Sequence, residues 1–591
     1  NVSAPSNMAE WMLSGTYNPA GGIVDAVYVG FHSNGTTGHP DTATARRAIG
    51  LITNSGATPH QAGTDGLATI LGRQINQDMH SLAGTFEVNW VAPPGGDPNL
   101  YNNSSTGSFG EIDLGANAEM DATIIEVAFH DNVNDNLLLR DPKARDQIAR
   151  SVYQGTLEYF ATWGGATNTS LPTPPTTVQA VSDASGEVTL NWAAGASTPA
   201  IANGAPATSY KVYASIDGYG FDGGRSVAGT STTITGLDPT QVYYFRVAAV
   251  NAGGESKPSE VMTALPSGGV NQVLIVNGFD RHDRSQNFRY PFSGGDSEGA
   301  ADRVWSRYNN SFDYVIQVHT AIHAAEPGLH VASTSNEAVI SGAVNLNDYD
   351  TVIWILGEES TANDTFNATE QTKVEAFIAA GGNLFTSGSE IAWDLAAQSG
   401  GVSFFENTRK GNLVSDGGGT YNITLAAGSI FAGMANFSFS QGNAFSQLDS
   451  QFYNAESPDV INPQAGGAAA LTYSGGTNGT AAIQVQGTGG RGSIVMFGFP
   501  FETITSAARK QDIMERVLNF FAISAAIPEV DIKTRVNGQD ADSPTGPVLV
   551  PGDTATFTYT LTNPGNVPLT GVVVSDDNGT PGNPGDDFAP S

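Results

Sequence analysis

The chain has 591 residues, of which 14% are charged, and its 58 acidic and 25 basic side chains give a formal net charge of −33. This acidity argues against nucleic acid and anionic membranes as partners, and the lack of cysteine excludes disulfides, thiolate zinc sites and cysteine nucleophiles. The length predicts roughly three to five domains. Because no apolar run reaches ~18 residues, we expect no membrane insertion. The acidic, cysteine-free composition, rich in Thr, Asn and Gly, is typical of a secreted, extracellular protein at the cell surface.

Changes in composition divide the chain into four segments. The Pro/Thr-rich stretch TNTSLPTPPTTVQ predicts an extended linker at 166–178, and shorter breaks follow at 264–271 and 524–530. We therefore expect a multidomain fold, made of an α/β domain at 1–165, a β-sandwich at 179–267, a second α/β domain at 270–523 and a partial β-sandwich at 528–591.

Two apolar runs in the first segment end on residues that can bind a metal or move a proton. VDAVYVGFHSNG places His32 at the end of a predicted strand, and DATIIEVAFHDN places Glu126 within a strand and His130 after it. A carboxylate in an apolar strand costs several kcal/mol unless it is paired, metal-bound or protonated. Since ligands bind at the carboxyl ends of strands in α/β sheets, we predict that His32 and Glu126 lie on adjacent strand ends and face the same cleft.

These motifs resemble those of the zinc-dependent N-acetylmuramoyl-L-alanine amidases, which cleave bacterial peptidoglycan. GFHSNG is similar to the family motif whose His binds zinc, and IIEVAFHDN is similar to the strand that carries its catalytic Glu. The stretch LLLRDPKARDQIARSVYQGTLEYF fits the closing helix of the family. The resemblance runs from about 23 to 161 and implies that His32 is a zinc ligand and Glu126 the general base and then acid.

The first segment departs from that family in its ligand set. The other two zinc ligands of the family, a His and a Glu, lie upstream, yet no His precedes His32 and the only upstream acids are Glu10 and Asp25. A single ligand holds zinc weakly, so we expect either that the N-terminal part of the domain is missing from this chain, or that the domain is a degenerate scaffold. In both cases we expect the chain as given to carry no stoichiometric zinc at His32 and to be inactive on peptidoglycan. Other histidines could contribute, although no spacing among them builds a site: His39, His60, His80 and His130.

The two alternatives predict different partners. An amidase, with zinc as its cofactor, would act on peptidoglycan or another cell-surface glycan. A degenerate domain would belong to a non-catalytic surface-layer, sheath, filament or adhesive protein, in which copies assemble with one another.

The second segment alternates apolar and polar residues with period two, as in GEVTLNWAA, TSYKVYAS and QVYYFRVAAVNAGGES. This pattern predicts a small β-sandwich. The segment resembles a fibronectin type III domain, with Trp192, Tyr210 and Leu237 in the expected order. Such modules space other domains or bind ligands, so we expect a structural role.

In the third segment, the strand patterns QVLIVNGFD, YDTVIWILGEES and NLFTSGSEIAWDL surround the helical pattern ATEQTKVEAFIAAGG, which predicts a parallel sheet. The order resembles the flavodoxin-like fold of class I glutamine amidotransferases. That family carries a Cys nucleophile after the GGNLFTSG strand and a His partner near its C-terminus, whereas this chain has Ser387–Glu390 and GSIVMFGFPFETI at those places. Because Ser389 has no visible base, we expect a non-catalytic scaffold or ligand binder that releases no ammonia from glutamine.

The fourth segment has alternating strand patterns broken by Gly, Pro and Asn. It resembles the immunoglobulin-like repeats of bacterial surface proteins and stops partway through such a module at Ser591, so we expect an excerpt of a longer protein. Acidic residues in its turns could bind calcium, which prefers carboxylate oxygens; solvated acidic loops are the alternative. These residues are Asp540, Asp542, Asp576, Asp577, Asp586 and Asp587.

Overall fold

The fold is known from a computed structural model. It describes residues 4–13, 26–36, 43–54, 66–97, 103–113, 120–182, 185–197, 204–266, 273–294, 297–303, 309–398, 400–440, 453–524, 529–542, 546–565, 569–577 and 582–589. No helix within these ranges is long and apolar enough to cross a bilayer.

The first segment contains a four-stranded mixed sheet. Its elements are α1 (Ala4–Leu13), β1 (Val27–Asn34), β2 (Ile49–Thr53), α2 (Leu67–Ser81), β3 (Ser104–Gly107), β4 (Asp121–Phe129), α3 (Val133–Arg140) and α4 (Pro142–Trp163). The strand order is β1-β4-β2-β3. β1 runs parallel to β4, β4 runs antiparallel to β2, and β2 runs parallel to β3.

The stretch expected to form one closing helix is divided into α3 and α4. The division falls at Asp141 and Pro142, because proline has no N–H for a preceding turn and favours the first helical position. The Asp141 carboxylate accepts a hydrogen bond from the Lys143 N–H at 2.9 Å and caps α4. Ile148 and Val152 of α4 are buried in the same core as the apolar face of α2, so the predicted helix does cover the sheet.

The second segment is a sandwich of two antiparallel sheets. Its strands are β5 (Thr176–Ser182), β6 (Val188–Ala193), β7 (Ser209–Ser215), β8 (Arg225–Val227), β9 (Ser231–Ile234), β10 (Tyr243–Asn251), β11 (Gly254–Pro258) and β12 (Met262–Ala264). Between the sheets, the Trp192 and Tyr210 rings meet edge to face at 5.4 Å. β5 begins at Thr176, which lies inside the stretch predicted to be a linker.

The third segment contains the longest run of elements. They are β13 (Val273–Asn277), β14 (Phe288–Gly294), β15 (Ser297–Arg303), α5 (Val315–Ala325), β16 (Val331–Ser335), α6 (Asn336–Ser341), β17 (Thr351–Gly357), α7 (Ala368–Ala379), β18 (Asn383–Gly388), α8 (Ile391–Ala397), α9 (Gly401–Ser403), β19 (Gly411–Ser415), β20 (Asn422–Leu425), β21 (Phe437–Ser438), β22 (Val460–Pro463), β23 (Gly467–Tyr473), β24 (Gly479–Val485), β25 (Ile494–Phe497) and α10 (Ala507–Phe520).

The predicted parallel sheet is present in this segment, in the order β16-β13-β17-β18-β25. In sequence order this is 2-1-3-4-5, a doubly wound arrangement that binds ligands where the order reverses at the carboxyl ends. The stretch NLFTSGSEIAWDL is a strand only as far as Gly388. It continues as α8, whose first N–H groups at Ala392 and Trp393 donate to the Asp459 carboxylate.

The sandwich and the parallel sheet share one continuous sheet. β5 of the sandwich pairs antiparallel with β16, through Ala180 opposite Ser333 and Gln179 opposite Thr334. The Ser333 hydroxyl also accepts a hydrogen bond from Thr263 N–H at 2.6 Å and donates one to Thr263 C=O at 2.8 Å. The two segments are therefore joined by backbone pairing and a buried side chain.

The last segment forms a three-stranded antiparallel sheet in its described part. Its strands are β26 (Asp531–Val536), β27 (Gln539–Asp540) and β28 (Phe557–Thr562), in the order β27-β26-β28. Apolar side chains here are largely exposed, for example Val573 at 83%.

Candidate functional site

The strands that carry the two predicted site residues lie side by side. β1 and β4 pair in parallel with His32 directly opposite Glu126, and opposite residues of a parallel pair project from the same face of the sheet. The β4 run that precedes Glu126 is buried from Asp121 to Ile125. The structure thus brings His32 and Glu126 together at neighbouring strand ends.

A third residue, Glu111, completes this cluster. Its Oε2 lies 3.1 Å from His32 Nε2, and its Oε1 accepts a hydrogen bond from the Tyr28 hydroxyl at 2.7 Å. Tyr28, Gly30 and His32 alternate along β1 and share one face. Gly30 provides the space for Glu111, because a Cβ at position 30 would lie 2.6 Å from Glu111 Oε1.

The carboxyl of Glu126 is half-buried, and interactions with its neighbours offset only part of the cost of this burial. Its Oε2 is buried and has no hydrogen-bond partner among the described residues. Burial raises the pKa of Glu126, His32 and His130 partly offset that rise, and the Glu111 charge adds to it. A carboxyl with a raised pKa beside imidazoles has the character of a proton carrier.

The loops after β1 and β4 are tied together around His130. Its Nδ1 lies 3.1 Å from the Ser33 hydroxyl, and its backbone N–H donates to Asn34 C=O at 2.9 Å. The neighbouring Asp131 carboxylate accepts hydrogen bonds from both the N–H and the hydroxyl of Thr36. His130 therefore lies at the same strand edge as Glu126.

The separation of His32 and Glu111 fits two ligands of one zinc ion. Ligand atoms ~2.0–2.2 Å from a tetrahedral ion lie ~3.3 Å apart, close to the 3.1 Å between His32 Nε2 and Glu111 Oε2. However, no group of three His, Cys, Asp or Glu side chains in the described ranges is arranged to hold a metal ion. A zinc site would need another donor in addition to these two.

The other histidines proposed as donors are distributed differently. His80 lies in the last turn of α2, and His39 and His60 lie outside the described residues.

In the third segment, the Ser389 hydroxyl is buried and donates to the Gly357 carbonyl at 3.3 Å. The hydroxyl proton is donated to a carbonyl oxygen, which is not a base that would activate Ser389 as a nucleophile. The absence of glutaminase activity nevertheless stays a prediction.

Several of the acidic turn residues in the last segment take part in local hydrogen bonds. Asp540 accepts from the Asp542 N–H at 3.0 Å, Asp542 accepts from the Thr534 N–H at 2.6 Å, and Tyr559 donates to Asp576. Calcium binding there stays a prediction as well.

The sequence patterns did not identify Glu111. It lies in the Gly-rich stretch GSFGEIDLG, which has no helical or strand period. The usable signal was on β1, where Gly30 stands between Tyr28 and His32 on one face and leaves space for a side chain from elsewhere. The glycine indicates that there is space for another side chain beside His32, but it does not indicate which residue occupies that space.

Comparison with known proteins identifies the second segment. Residues 173–264 match the family model of the fibronectin type III domain. Similar solved structures include consecutive domains of titin, at 29% identity over 17% of this chain and 33% of that chain with a TM-score of 0.15. Others are the twitchin kinase region of C. elegans, at 30% identity over 17% of each chain with a TM-score of 0.15, and the FN5 domain of Drosophila Lar, at 21% identity over 17% of this chain and 100% of that chain with a TM-score of 0.14.

The chain spans a third or less of the titin and twitchin structures that it matches. The family match and the two antiparallel sheets coincide in position. Residues 173–264 of this multidomain chain are a fibronectin type III domain.

Proposed function

We propose that residues 1–165 are related to the zinc-dependent N-acetylmuramoyl-L-alanine amidases, and that the chain is part of an extracellular protein that acts on bacterial peptidoglycan. The observation that carries this proposal is the placement of His32 opposite Glu126 on parallel strands. The contact between His32 and Glu111 supports it, because its length suits two ligands of one ion.

Each residue of the cluster has a separate role in this proposal. When bound, zinc would supply a water molecule of lowered pKa. His32 and Glu111 would hold the ion, with Tyr28 fixing Glu111 through its hydroxyl. Glu126 would accept the proton of the attacking water and pass it to the leaving amine, a double role for which its raised pKa is suited.

Metal content and product release test the proposal. The chain and its variants are purified, zinc is measured by elemental analysis, and muropeptide release from peptidoglycan is followed by chromatography. Because His32 and Glu111 are only two donors and tight sites use at least three, zinc is supplied in excess in both assays. Under these conditions we expect His32→Ala and Glu111→Gln to lower bound zinc, and Glu126→Gln to keep zinc while losing release. His80→Ala is the matched control, since it removes an imidazole from α2 rather than from the cluster. Release that persists in Glu126→Gln would refute the assigned role.

A second candidate function is a non-catalytic structural protein of a surface layer, sheath, filament or adhesive. The observation that favours it is the way in which the segments are joined. β5 and β16 form one sheet across two segments, and Arg284 of the third segment donates two hydrogen bonds, at 2.7 and 2.8 Å, to Glu87 of the first. Such joints suit a rigid spacer.

Sedimentation and electron microscopy of the purified chain separate the two candidates. Ordered assemblies from a chain that binds no zinc and releases no muropeptide would support the structural function. A monomer that has amidase activity would refute it.

A further inference from the structure

A cavity of about 710 Å³ lies where three segments of the chain meet. Its walls come from α4 of the first segment, from the fibronectin type III domain, and from the third segment around His282 and Phe312. Small-molecule pockets commonly have volumes of ~300–1,000 Å³ and occur at domain junctions. His282 follows β13, a central strand of the parallel sheet, so the cavity is also close to the carboxyl edge of that sheet.

The walls of this cavity, which we call the junction cavity, are held by contacts between segments. Lys257 of the fibronectin domain forms an ion pair with Asp146 of α4. The Val261 N–H donates to the Phe312 carbonyl at 2.8 Å, and the His282 ring lies 5.4 Å from the Phe312 ring. These contacts between segments fix the positions of the cavity walls.

The acidic side chains that line the junction cavity form ion pairs or hydrogen bonds with other residues of the chain. Asp146 pairs with Lys257, and Asp313 accepts a hydrogen bond from the Ser311 hydroxyl at 2.6 Å. Glu260 accepts one from the Asn277 side chain, and burial raises the pKa of Glu260 well above its usual range.

Two guanidinium groups in the wall are not neutralised in the same way. Among the described residues, neither Arg145 nor Arg246 forms an ion pair, and both line the cavity. The Arg246 guanidinium lies 4.0 Å from the centre of the Phe221 ring, and its buried Nε has no hydrogen-bond partner in the described ranges. Neither arginine is paired with the carboxyl groups of the same wall, so each guanidinium can form charge-assisted hydrogen bonds with an anionic ligand.

The remaining wall is suited to a polar ring rather than to a bare anion. Phe221, Phe312 and Tyr219 contribute aromatic surface, against which the C–H face of a sugar can pack.

We propose that the junction cavity binds a carboxylate-bearing sugar, with the carboxylate paired to Arg145 and Arg246 and the sugar ring against the aromatic wall. The inference rests on this cavity alone, which is separate from the cluster around His32. It therefore stands or falls independently of the amidase proposal.

Calorimetric titration of the full chain with matched sugars tests the proposal. N-acetylmuramic acid and glucuronic acid carry a carboxylate, whereas N-acetylglucosamine and glucose are their neutral counterparts. Because hydrogen bonds to charged groups are stronger than those between neutral groups, we expect the acids to bind at least about tenfold more tightly than the neutral sugars. Equal affinity for acids and neutral sugars, or no binding of any of them, would overturn the proposal.

Charge variants locate the binding. Arg145→Gln and Arg246→Gln should each weaken binding of the acids by about tenfold, while Arg535→Gln, which removes an exposed charge from the last segment, should leave it unchanged. Arg246 packs on Phe221, so its variant needs an unchanged unfolding midpoint to be interpreted. Arg145 is exposed on α4, and its variant keeps the test valid if Arg246→Gln unfolds. Equal weakening by Arg535→Gln would show a diffuse charge effect and refute the site.

Discussion

The Nε2 atom of His32 lies 3.1 Å from Oε2 of Glu111, and this contact joins a strand end to a loop distant in sequence. The contact requires His32 to project from the same face of β1 as Tyr28. The Tyr28 hydroxyl donates a hydrogen bond to the other oxygen of the Glu111 carboxylate. The charge of Glu111 is thus shared between an imidazole and a phenol. A measurement of the Tyr28 pKa therefore tests whether Glu111 lies in this cluster, and it needs no assay of activity.

Glu111→Gln should lower the pKa of Tyr28. Burial, the hydrogen bond to Glu111 and the Glu111 charge together raise this pKa to about 12. Removal of the charge eliminates the last of these causes but not the burial, so we expect a fall part of the way towards the ordinary value near 10. NMR titration of labelled tyrosine, with Tyr28→Phe to assign the signal, measures it. An unchanged Tyr28 pKa would mean that the contact with Glu111 is absent in solution.

The sequence predicts the positions of His32 and Glu126 but not that of Glu111, for a physical reason. The end of a buried strand can be recognised in the sequence, because a run of apolar residues marks the strand and the polar residue that follows marks its end. A turn residue has no such pattern, and its position depends on how the loop folds over the sheet.

The same distinction applies to the fold. Alternating strands and helices predicted the parallel sheet of the third segment, and period-two patterns predicted the sandwich. The pairing of Ala180 with Ser333 was not predictable, because it depends on which sheet edges meet after each segment has formed. The division at Pro142 could have been predicted, since a proline inside a helical pattern commonly ends the helix.

Ser333→Ala should destabilise two segments at once. The Ser333 hydroxyl is fully buried and satisfies both the N–H and the C=O of Thr263. Its removal leaves a buried N–H unpaired, which costs ~1–3 kcal/mol. Because β5 and β16 pair, we expect the sandwich and the parallel sheet to unfold in a single transition that shifts as a whole in calorimetry.

Ser341→Ala is the matched control for this variant. Ser341 is exposed, and its hydroxyl donates only to the nearby Ala338 carbonyl at 3.2 Å. Such a change should alter stability by less than ~0.5 kcal/mol. Two separate transitions, of which Ser333→Ala moves only one, would contradict the continuous sheet.

Glu502 should make the protein less stable as the pH rises towards neutrality. Burial raises its pKa from 4.5 to about 7, despite a hydrogen bond of 2.6 Å from the Tyr453 hydroxyl. The folded state therefore keeps a proton that the unfolded chain releases. The stabilisation is fully present below pH ~4.5 and is lost as the pH rises through ~7, a change of about 3 kcal/mol.

Urea unfolding between pH 4 and pH 8 tests this prediction. Glu502→Gln cannot titrate, so it should reduce the pH dependence by one proton relative to the unchanged chain. Tyr453→Phe removes a hydrogen bond that favours the charged carboxyl, and should move the same dependence to higher pH. A slope that is identical in Glu502→Gln and the unchanged chain would show that the folded state does not raise the pKa of Glu502.

Arg409→Met should stabilise the protein. The Arg409 side chain is fully buried, and its Nε and Nη1 have no partner among the described residues. Its guanidinium donates to the Thr386 hydroxyl and lies 5.1 Å from the centre of the Phe366 ring. Burial alone lowers the pKa of Arg409 to about 9. Replacing buried charges by apolar residues of similar volume is worth ~1–4 kcal/mol in favourable cases, which exceeds a cation–π contribution of ~2 kcal/mol or less.

Urea midpoints at constant slope measure the effect of Arg409→Met, and Arg409→Lys is the matched variant that keeps a charge while losing the planar guanidinium. If the Met variant is instead less stable than the unchanged chain, the interactions of the guanidinium with Thr386 and Phe366 outweigh its desolvation.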